Sequence, residues 1–201
     1  MIQRILEQKA RQLLGNRKAL LIMGARQVGK STLLHQLLDD RPKVLWLNGD
    51  DIDVRELFHD ISSTRLRALI GNNEYLVIDE AQRIPDIGLR LKLVTDQIPT
   101  VQVIATGSSS FDLASKVNEP LTGRKREFKM FPLTFQEMVD HTGLLDELRM
   151  IPHRMVYGYY PEVVCSPGEE VGVLKELSDS YLYKMIIRIM SVNLFNATRR
   201  C

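Results

Sequence analysis

The segment that decides the fold reads Gly24-Ala25-Arg26-Gln27-Val28-Gly29-Lys30-Ser31. It matches the pattern Gly-x4-Gly-Lys-[Ser/Thr] in full. An apolar run, Lys18 to Met23, precedes it, and a helical pattern, Ser31 to Leu38, follows it. Glycines let the backbone curl so that successive N–H groups point inward, and the start of the helix adds partial positive charge. The segment therefore predicts a phosphate-binding loop for a nucleoside triphosphate.

Each polar residue of this loop has an expected task. Lys30 should reach the β and γ phosphates, and the Ser31 hydroxyl should coordinate Mg²⁺. The alternative is a glycine turn beside a surface lysine, and the strand and helix on either side of the loop favour the nucleotide site. The residues expected to contact ATP are Gly24, Ala25, Arg26, Gln27, Val28, Gly29, Lys30, Ser31 and Thr32.

Apolar runs and helical patterns alternate through the first half of the chain. This alternation is typical of a parallel sheet with helices on both faces, so we predict an α/β fold: a P-loop NTPase parallel sheet flanked by helices. A small helical C-terminal extension should follow, with residues 1–135 as the core and 136–201 as the extension. The predicted strands are 18–23, 44–47, 75–78, 101–105 and 127–131, and the predicted helices are 2–14, 31–38, 53–70, 87–98, 134–141, 144–155 and 169–190.

An acidic pair ends the third predicted strand, Leu76-Val77-Ile78-Asp79-Glu80. Ligands of such sheets lie beyond the carboxyl ends of the strands, so Asp79 should hold Mg²⁺ together with Ser31. Glu80 could orient and deprotonate a water that attacks the γ phosphate. The plainer interpretation is an acidic turn after a buried strand, and the phosphate loop favours catalysis.

The next predicted strand ends in Thr106-Gly107-Ser108-Ser109-Ser110. A polar residue here can bridge the attacking water and the γ phosphate, which makes Thr106 or Ser108 the candidate sensor. A serine-rich turn with no catalytic role is the alternative.

Composition limits the other functions. The chain has 44% hydrophobic and 26% charged residues, and 27 Lys and Arg stand against 25 Asp and Glu. This near balance argues against nucleic acid as a partner, and the basic stretch Arg124 to Lys129 is more simply a solvated surface. Apolar runs are too short to span a membrane, and we expect no signal peptide because the first residues mix charged and apolar side chains. The spacing of Cys165 and Cys201 does not suit a metal, and we expect a reduced, cytoplasmic compartment.

The order of these motifs resembles the predicted AAA+-superfamily ATPases of bacteria and archaea, in which a P-loop domain precedes a nuclease-like C-terminal domain. The stretches that carry the resemblance are Gly24 to Thr32, Ile78-Asp79-Glu80-Ala81-Gln82, Thr106 to Ser109, Leu121-Thr122-Gly123-Arg124, Phe131-Pro132-Leu133-Thr134-Phe135, Tyr159-Tyr160-Pro161-Glu162 and Ser180-Tyr181-Leu182-Tyr183-Lys184.

The resemblance implies an ATPase with an additional strand and a catalytic glutamate. It also places Arg124 at the family's Gly-Arg motif, where an arginine could complete a neighbouring subunit's site, although Arg124 could equally be one more cation of a solvated loop. Family members usually continue well past Lys184, so we expect a truncated C-terminal domain, and a helix face left uncovered predicts self-association.

The leading hypothesis is therefore an ATPase that uses Lys30, Ser31, Asp79 and Glu80, acting on an unknown protein client. A nucleotide-occupied switch with negligible turnover is the alternative. A GTPase is disfavoured because the sequence has no Asn-Lys-x-Asp element. A small-molecule phosphotransferase suits Glu80 less well.

Overall fold

The computed structural model describes residues 1–107, 117 and 120–179. Five strands form one sheet: β1 Ala19–Gly24, β2 Val44–Asn48, β3 Tyr75–Asp79, β4 Gln102–Gly107 and β5 Lys125–Met130. The helices are Ile5–Arg11, Lys30–Leu38, Ile52–His59, Ser63–Ile70, Ile87–Gln97, Phe135–Thr142, Leu144–Tyr157 and Pro161–Cys165, with a 3₁₀ turn at Ala81–Arg83 and helical backbone at 170–179.

The sheet is parallel throughout, in the order β2-β3-β4-β1-β5. Leu21 of β1 pairs with Ala105 of β4 on one side and with Glu127 of β5 on the other. Strand β4 therefore lies between β1 and β3. Because parallel strands end at one edge of a sheet, the residues after β1, β4 and β3 meet there. The predicted α/β P-loop fold is confirmed.

The three central strands, β1, β3 and β4, are buried on both faces, which explains their continuous apolar runs. On one face, Leu21, Met23 and Ile78 belong to a core cluster that includes the helices between residues 52 and 97. On the other face the helix Lys30–Leu38 packs on β1, and the helix Ile5–Arg11 packs on that helix. Strand and helix residues on this second face that are 2% exposed or less include Leu20, Ile22, Leu33, Leu34, Leu37, Val77 and Ile104.

The predicted single helix 53–70 is wrong, because the structure has two helices there. The first ends at His59, and Ile61 turns into the core with 2% exposure. Ser62 then adopts an extended conformation, and its Oγ accepts a hydrogen bond from the Arg65 N–H at 3.3 Å. A serine at the N-cap satisfies a backbone donor that a continuous helix would have used internally, so it starts a new helix.

The fifth strand begins two residues earlier than predicted and ends at Met130. Its first residue pairs with Ala19, the first residue of β1, so the register of the two strands sets its start. Phe131, which the prediction included, follows the strand and is 65% exposed.

The chain divides into two compact units, Met1–Gly143 and a second that begins at Leu144. The boundary predicted between residues 135 and 136 stays a prediction. In the second unit, buried Glu147 pairs with Arg154 at 3.3 Å, and the Arg154 guanidinium lies 5.6 Å from the centre of the Tyr159 ring. The last predicted helix is seen at 170–179, and its remainder lies outside the described residues.

None of the helices in the described part of the chain combines the length and apolarity needed to cross a bilayer.

The N-cap interpretation can be tested by replacing Ser62. Ser62→Ala removes the acceptor of the Arg65 N–H and should lower the free energy of unfolding by about 1 kcal/mol in denaturant titrations. Ser62→Asp keeps an acceptor at the same position and should retain most of the stability. Equal losses in both variants would contradict a capping role.

Candidate functional site

Two glycines shape the loop between β1 and the helix Lys30–Leu38, for different reasons. A Cβ on Gly24 would lie 2.4 Å from the Met130 carbonyl oxygen, so any side chain there would push β5 away. Gly29 has φ of 94° and ψ of 27°, a left-handed conformation that glycine adopts without strain, and it is the residue before the helix. Gln27 is also left-handed, with φ of 58°. The loop thus has the tight curl that the sequence motif predicts.

Lys30 lies folded over this loop. Its side chain is 5% exposed, and Nζ donates hydrogen bonds to the carbonyl oxygens of Ala25 at 2.8 Å and Gly24 at 3.1 Å. Burial lowers the pKa of Lys30 below its ordinary value, although the carboxylates of Glu80 and Asp79 oppose the shift. A buried cation next to a helix N-terminus is a favourable environment for an anion.

The metal candidates are brought together. Ser31 Oγ donates to Asp79 Oδ2 at 2.6 Å, although 48 residues separate them in sequence. A hydroxyl and a carboxylate are oxygen donors of the kind that Mg²⁺ prefers, and both lie at the loop. The oxygen donors of Ser31 and Asp79 therefore fit a magnesium ion that both residues would hold.

Thr106 connects the acidic pair. It is fully buried, its hydroxyl donates to Asp79 Oδ1, and it accepts from the Glu80 N–H at 3.1 Å. The same N–H lies 3.0 Å from Asp79 Oδ1. In this structure the Thr106 hydroxyl therefore positions the two acidic residues. Its predicted contact with the γ phosphate stays a prediction, and Ser108 lies outside the described residues.

Glu80 has an uncommon backbone conformation, with φ of 49° and ψ of 40°. A non-glycine residue in this region indicates a constraint, and here the neighbours supply one. Gly49 packs so closely that a Cβ on it would lie 2.4 Å from the Glu80 carbonyl oxygen. The Gln82 side-chain amide donates to the Glu80 carboxylate. Backbone and side chain of Glu80 are thus both held in place.

Arg124 lies away from its own chain's loop. Its carbonyl oxygen accepts from the Ala19 N–H at 2.9 Å, at the start of β1, whereas the loop follows the end of that strand. The strand has six residues, which separates its ends by roughly 17 Å. Arg124 Nε pairs with Asp96 at 2.6 Å. Its action in a neighbouring subunit stays a prediction.

Sequence reasoning missed a buried ion pair beside the loop. Arg4 and Glu137 lie 3.0 Å apart with side-chain exposures of 8% and 3%, and Arg4 also donates to the Val28 carbonyl oxygen at 2.9 Å. The pattern Thr134-x-x-Glu137 signals a capping box, which the structure contains. Its pairing with Arg4, 133 residues away, leaves no local signal in the sequence.

The model of the AAA domain family matches residues 16–139. The chain belongs to the AAA domain family. The match includes the phosphate loop, the acidic pair, Thr106 and Arg124. It ends within the helix Phe135–Thr142, so it covers most of the first compact unit.

Two curated relatives are uncharacterized proteins. Rv2008c of Mycobacterium tuberculosis is 29% identical over 131 residues, which are 65% of this chain and 29% of that protein. MJ1544 of Methanocaldococcus jannaschii is 22% identical over 192 residues, or 87% of this chain and 43% of that protein. The chain thus spans less than half the length of these relatives.

Solved structures support the fold. The Walker-type ATPase Paby2304 of Pyrococcus abyssi has a TM-score of 0.58 at 18% identity, covering 100% of this chain and 77% of that one. Domain III of the replication initiation protein DnaA from Thermotoga maritima has a TM-score of 0.51 at 13% identity, covering 76% of this chain and 72% of that one.

The buried Glu137 should make stability depend on pH. Burial alone would raise the pKa of Glu137, but the N–H groups of Thr134 and Ile5 and the Arg4 guanidinium hold it below its ordinary value. Its contribution to stability is therefore full above the unfolded pKa of about 4.3 and is lost as the pH falls through the lower folded pKa.

Glu137→Gln should lower the free energy of unfolding by about 3 kcal/mol at pH 7, since it removes one charge of a buried pair. The difference in the free energy of unfolding between wild type and variant should become smaller as denaturant titrations are repeated from about pH 6 down to about pH 3. Glu74→Gln, at an exposed carboxylate paired with Lys43, should cost under about 1 kcal/mol. A gap at Glu137 that is independent of pH would contradict the assignment.

Proposed function

We propose that this AAA-domain protein binds Mg·ATP at the loop Gly24 to Ser31 and hydrolyses it with Glu80 as the general base. The observation that carries the proposal is the convergence of Ser31, Asp79 and Glu80 beside the buried Lys30. Family membership supports nucleotide binding, and the acidic pair beside the loop supports hydrolysis.

The binding step rests on charge and backbone donors. The helix N-terminus and the Lys30 ammonium group offer positive charge to the phosphates, and the loop offers N–H groups. Ser31 and Asp79 would hold Mg²⁺, which when bound offsets the negative charge of the β and γ phosphates. Lys30 is buried beside two carboxylates, which offset its positive charge. The site therefore suits a phosphate group that binds together with a cation such as Mg²⁺.

The chemical step assigned to this chain is a proton transfer. Glu80 accepts a proton from a water molecule whose oxygen attacks the γ phosphorus, while the bond from that phosphorus to the bridging oxygen breaks and leaves ADP and phosphate. Thr106 and Asp79 hold the Glu80 N–H, and Gln82 holds the carboxylate. These contacts limit the positions from which Glu80 can reach the water.

A nucleotide-occupied switch with negligible turnover is the second candidate. Two contacts favour it: the Gln82 amide engages the Glu80 carboxylate, and Asp96 engages Arg124. In this candidate, occupancy of the site by nucleotide, and not its hydrolysis, would order a surface for a partner. We also propose that the protein acts on a protein client and self-associates. It would lie in the cytoplasm and would not bind nucleic acid.

Mg·ATP affinity and phosphate release, measured side by side, distinguish the two candidates. Lys30→Ala should weaken Mg·ATP binding by about 10- to 100-fold, since it removes a charged hydrogen-bond donor. Glu80→Gln should keep the affinity and lower phosphate release by about 100-fold or more, since it removes a general base. Isothermal titration and a phosphate-release assay at several protein concentrations measure both.

Lys43→Ala and Glu74→Gln remove the same groups from an exposed pair whose atoms are 2.8 Å apart and serve as matched controls. They should behave as wild type. If wild type binds Mg·ATP but releases phosphate no faster than Glu80→Gln at any protein concentration, the switch replaces the hydrolase. Unchanged binding in Lys30→Ala would contradict both candidates.

A further inference from the structure

A buried arginine lies where three chain segments meet. Arg4 precedes the first helix, and its guanidinium group contacts the phosphate loop and the segment that follows β5. Its hydrogen bonds run from Nη1 to Val28 O at 2.9 Å, from Nη2 to Phe131 O at 2.6 Å and to Pro132 O at 3.4 Å, and from Nε to Glu137 Oε1 at 3.0 Å. A planar fork with several N–H donors can serve these acceptors at once, whereas a lysine ammonium cannot match that geometry.

The contact with Val28 fixes one peptide plane of the loop. In a trans peptide unit the C=O and the following N–H point in opposite directions. Because the Val28 carbonyl points at Arg4, the N–H of Gly29 points away from Arg4. A Cβ on Gly29 would lie 3.9 Å from Arg4 Nη1, so the guanidinium group also packs near this residue. Arg4 thus sets the direction of a backbone donor in the phosphate loop.

Glu137 continues this connection to the helix Phe135–Thr142. Its Oε1 accepts from Arg4 and from the Ile5 N–H at 2.8 Å, and its Oε2 accepts from the Thr134 N–H at 2.8 Å. Thr134 in turn caps that helix through the Glu137 N–H at 3.1 Å. Charge-assisted hydrogen bonds therefore run without a break from Val28 through Arg4 and Glu137 to the helix N-terminus.

We propose that Arg4 is a positioning residue that holds the phosphate loop in its binding conformation and, through Glu137, couples occupancy of the loop to the helix Phe135–Thr142. This inference rests on the proposed nucleotide binding. Both charges are buried, so neither can leave its partner for water without a desolvation cost. A ligand that stiffens the loop should therefore stiffen the helix, and the coupling is reciprocal.

Hydrogen–deuterium exchange with and without Mg·ADP tests this coupling, using peptides that cover residues 24–31 and 135–142. In wild type, Mg·ADP should slow amide exchange in both segments. Arg4→Lys keeps the charge but not the fork, so it should weaken Mg·ADP binding by about 10-fold or more and abolish the protection of 135–142 at saturating nucleotide.

Glu137→Gln separates the two roles, since it leaves the Arg4 contact with Val28 in place. It should bind Mg·ADP within about threefold of wild type and protect 24–31, yet lose the protection of 135–142. It also keeps the inference testable if Arg4→Lys does not fold. Arg11→Gln is the matched control, because Arg11 contacts Gln36 O at 2.7 Å and Glu7 at 3.0 Å on the same helical layer but not the loop. Arg11→Gln should bind Mg·ADP as wild type does and should keep the protection of both segments.

The possible failures are distinct. If wild type shows no Mg·ADP-dependent protection of 24–31, nucleotide binding itself is refuted and the inference falls with it. If 24–31 is protected and 135–142 never is, the coupling is refuted and the proposed function stands. If Arg4→Lys and Glu137→Gln keep full protection of both segments, Arg4 is a structural residue only.

Discussion

The site depends on one constraint, which is that β1, β4 and β3 lie side by side and end at the same edge of the sheet. Only this order places Thr106, at the end of β4, between the loop after β1 and the acidic pair after β3. Thr106 can then bond Asp79 and the Glu80 backbone together. At the same edge Ser31 Oγ reaches Asp79 Oδ2, 2.6 Å away.

Burial strengthens the contacts at this edge. Strands β1, β3 and β4 are buried on both faces, so the polar groups at their ends lie next to a low-dielectric interior. The same environment surrounds Arg4 and Glu137, whose side chains bond to each other and make five further hydrogen bonds to the segments around the loop. A buried pair gains little from its own attraction after desolvation. Its value here is that it fixes how three distant segments meet.

Features that depend on local residue patterns could be predicted from the sequence. Features that depend on contacts between distant residues were missed. Gly24, Gly29 and Lys30 could be assigned because a phosphate loop needs a tight curl followed by a helix. The central strands β1, β3 and β4 could be assigned because burial on both faces leaves continuous apolar runs. The helix break at Ser62 was missed because the apolar spacing continues across it, so the cap was not separated from the helix interior. The left-handed backbone of Glu80 and the pairing of Arg4 with Glu137 depend on residues far along the chain, and no spacing rule reveals them.

The central claim is that Ser31 and Asp79 hold one magnesium ion beside the phosphates, and a double-mutant cycle tests it most directly. Nucleotide affinity would be measured for wild type, Ser31→Ala, Asp79→Asn and the double variant, once with Mg²⁺ and once with EDTA. If the two residues share the ion, their effects with Mg²⁺ are strongly non-additive, and the coupling shrinks or disappears in EDTA. Additive effects, or the same coupling in EDTA as in Mg²⁺, would contradict the account.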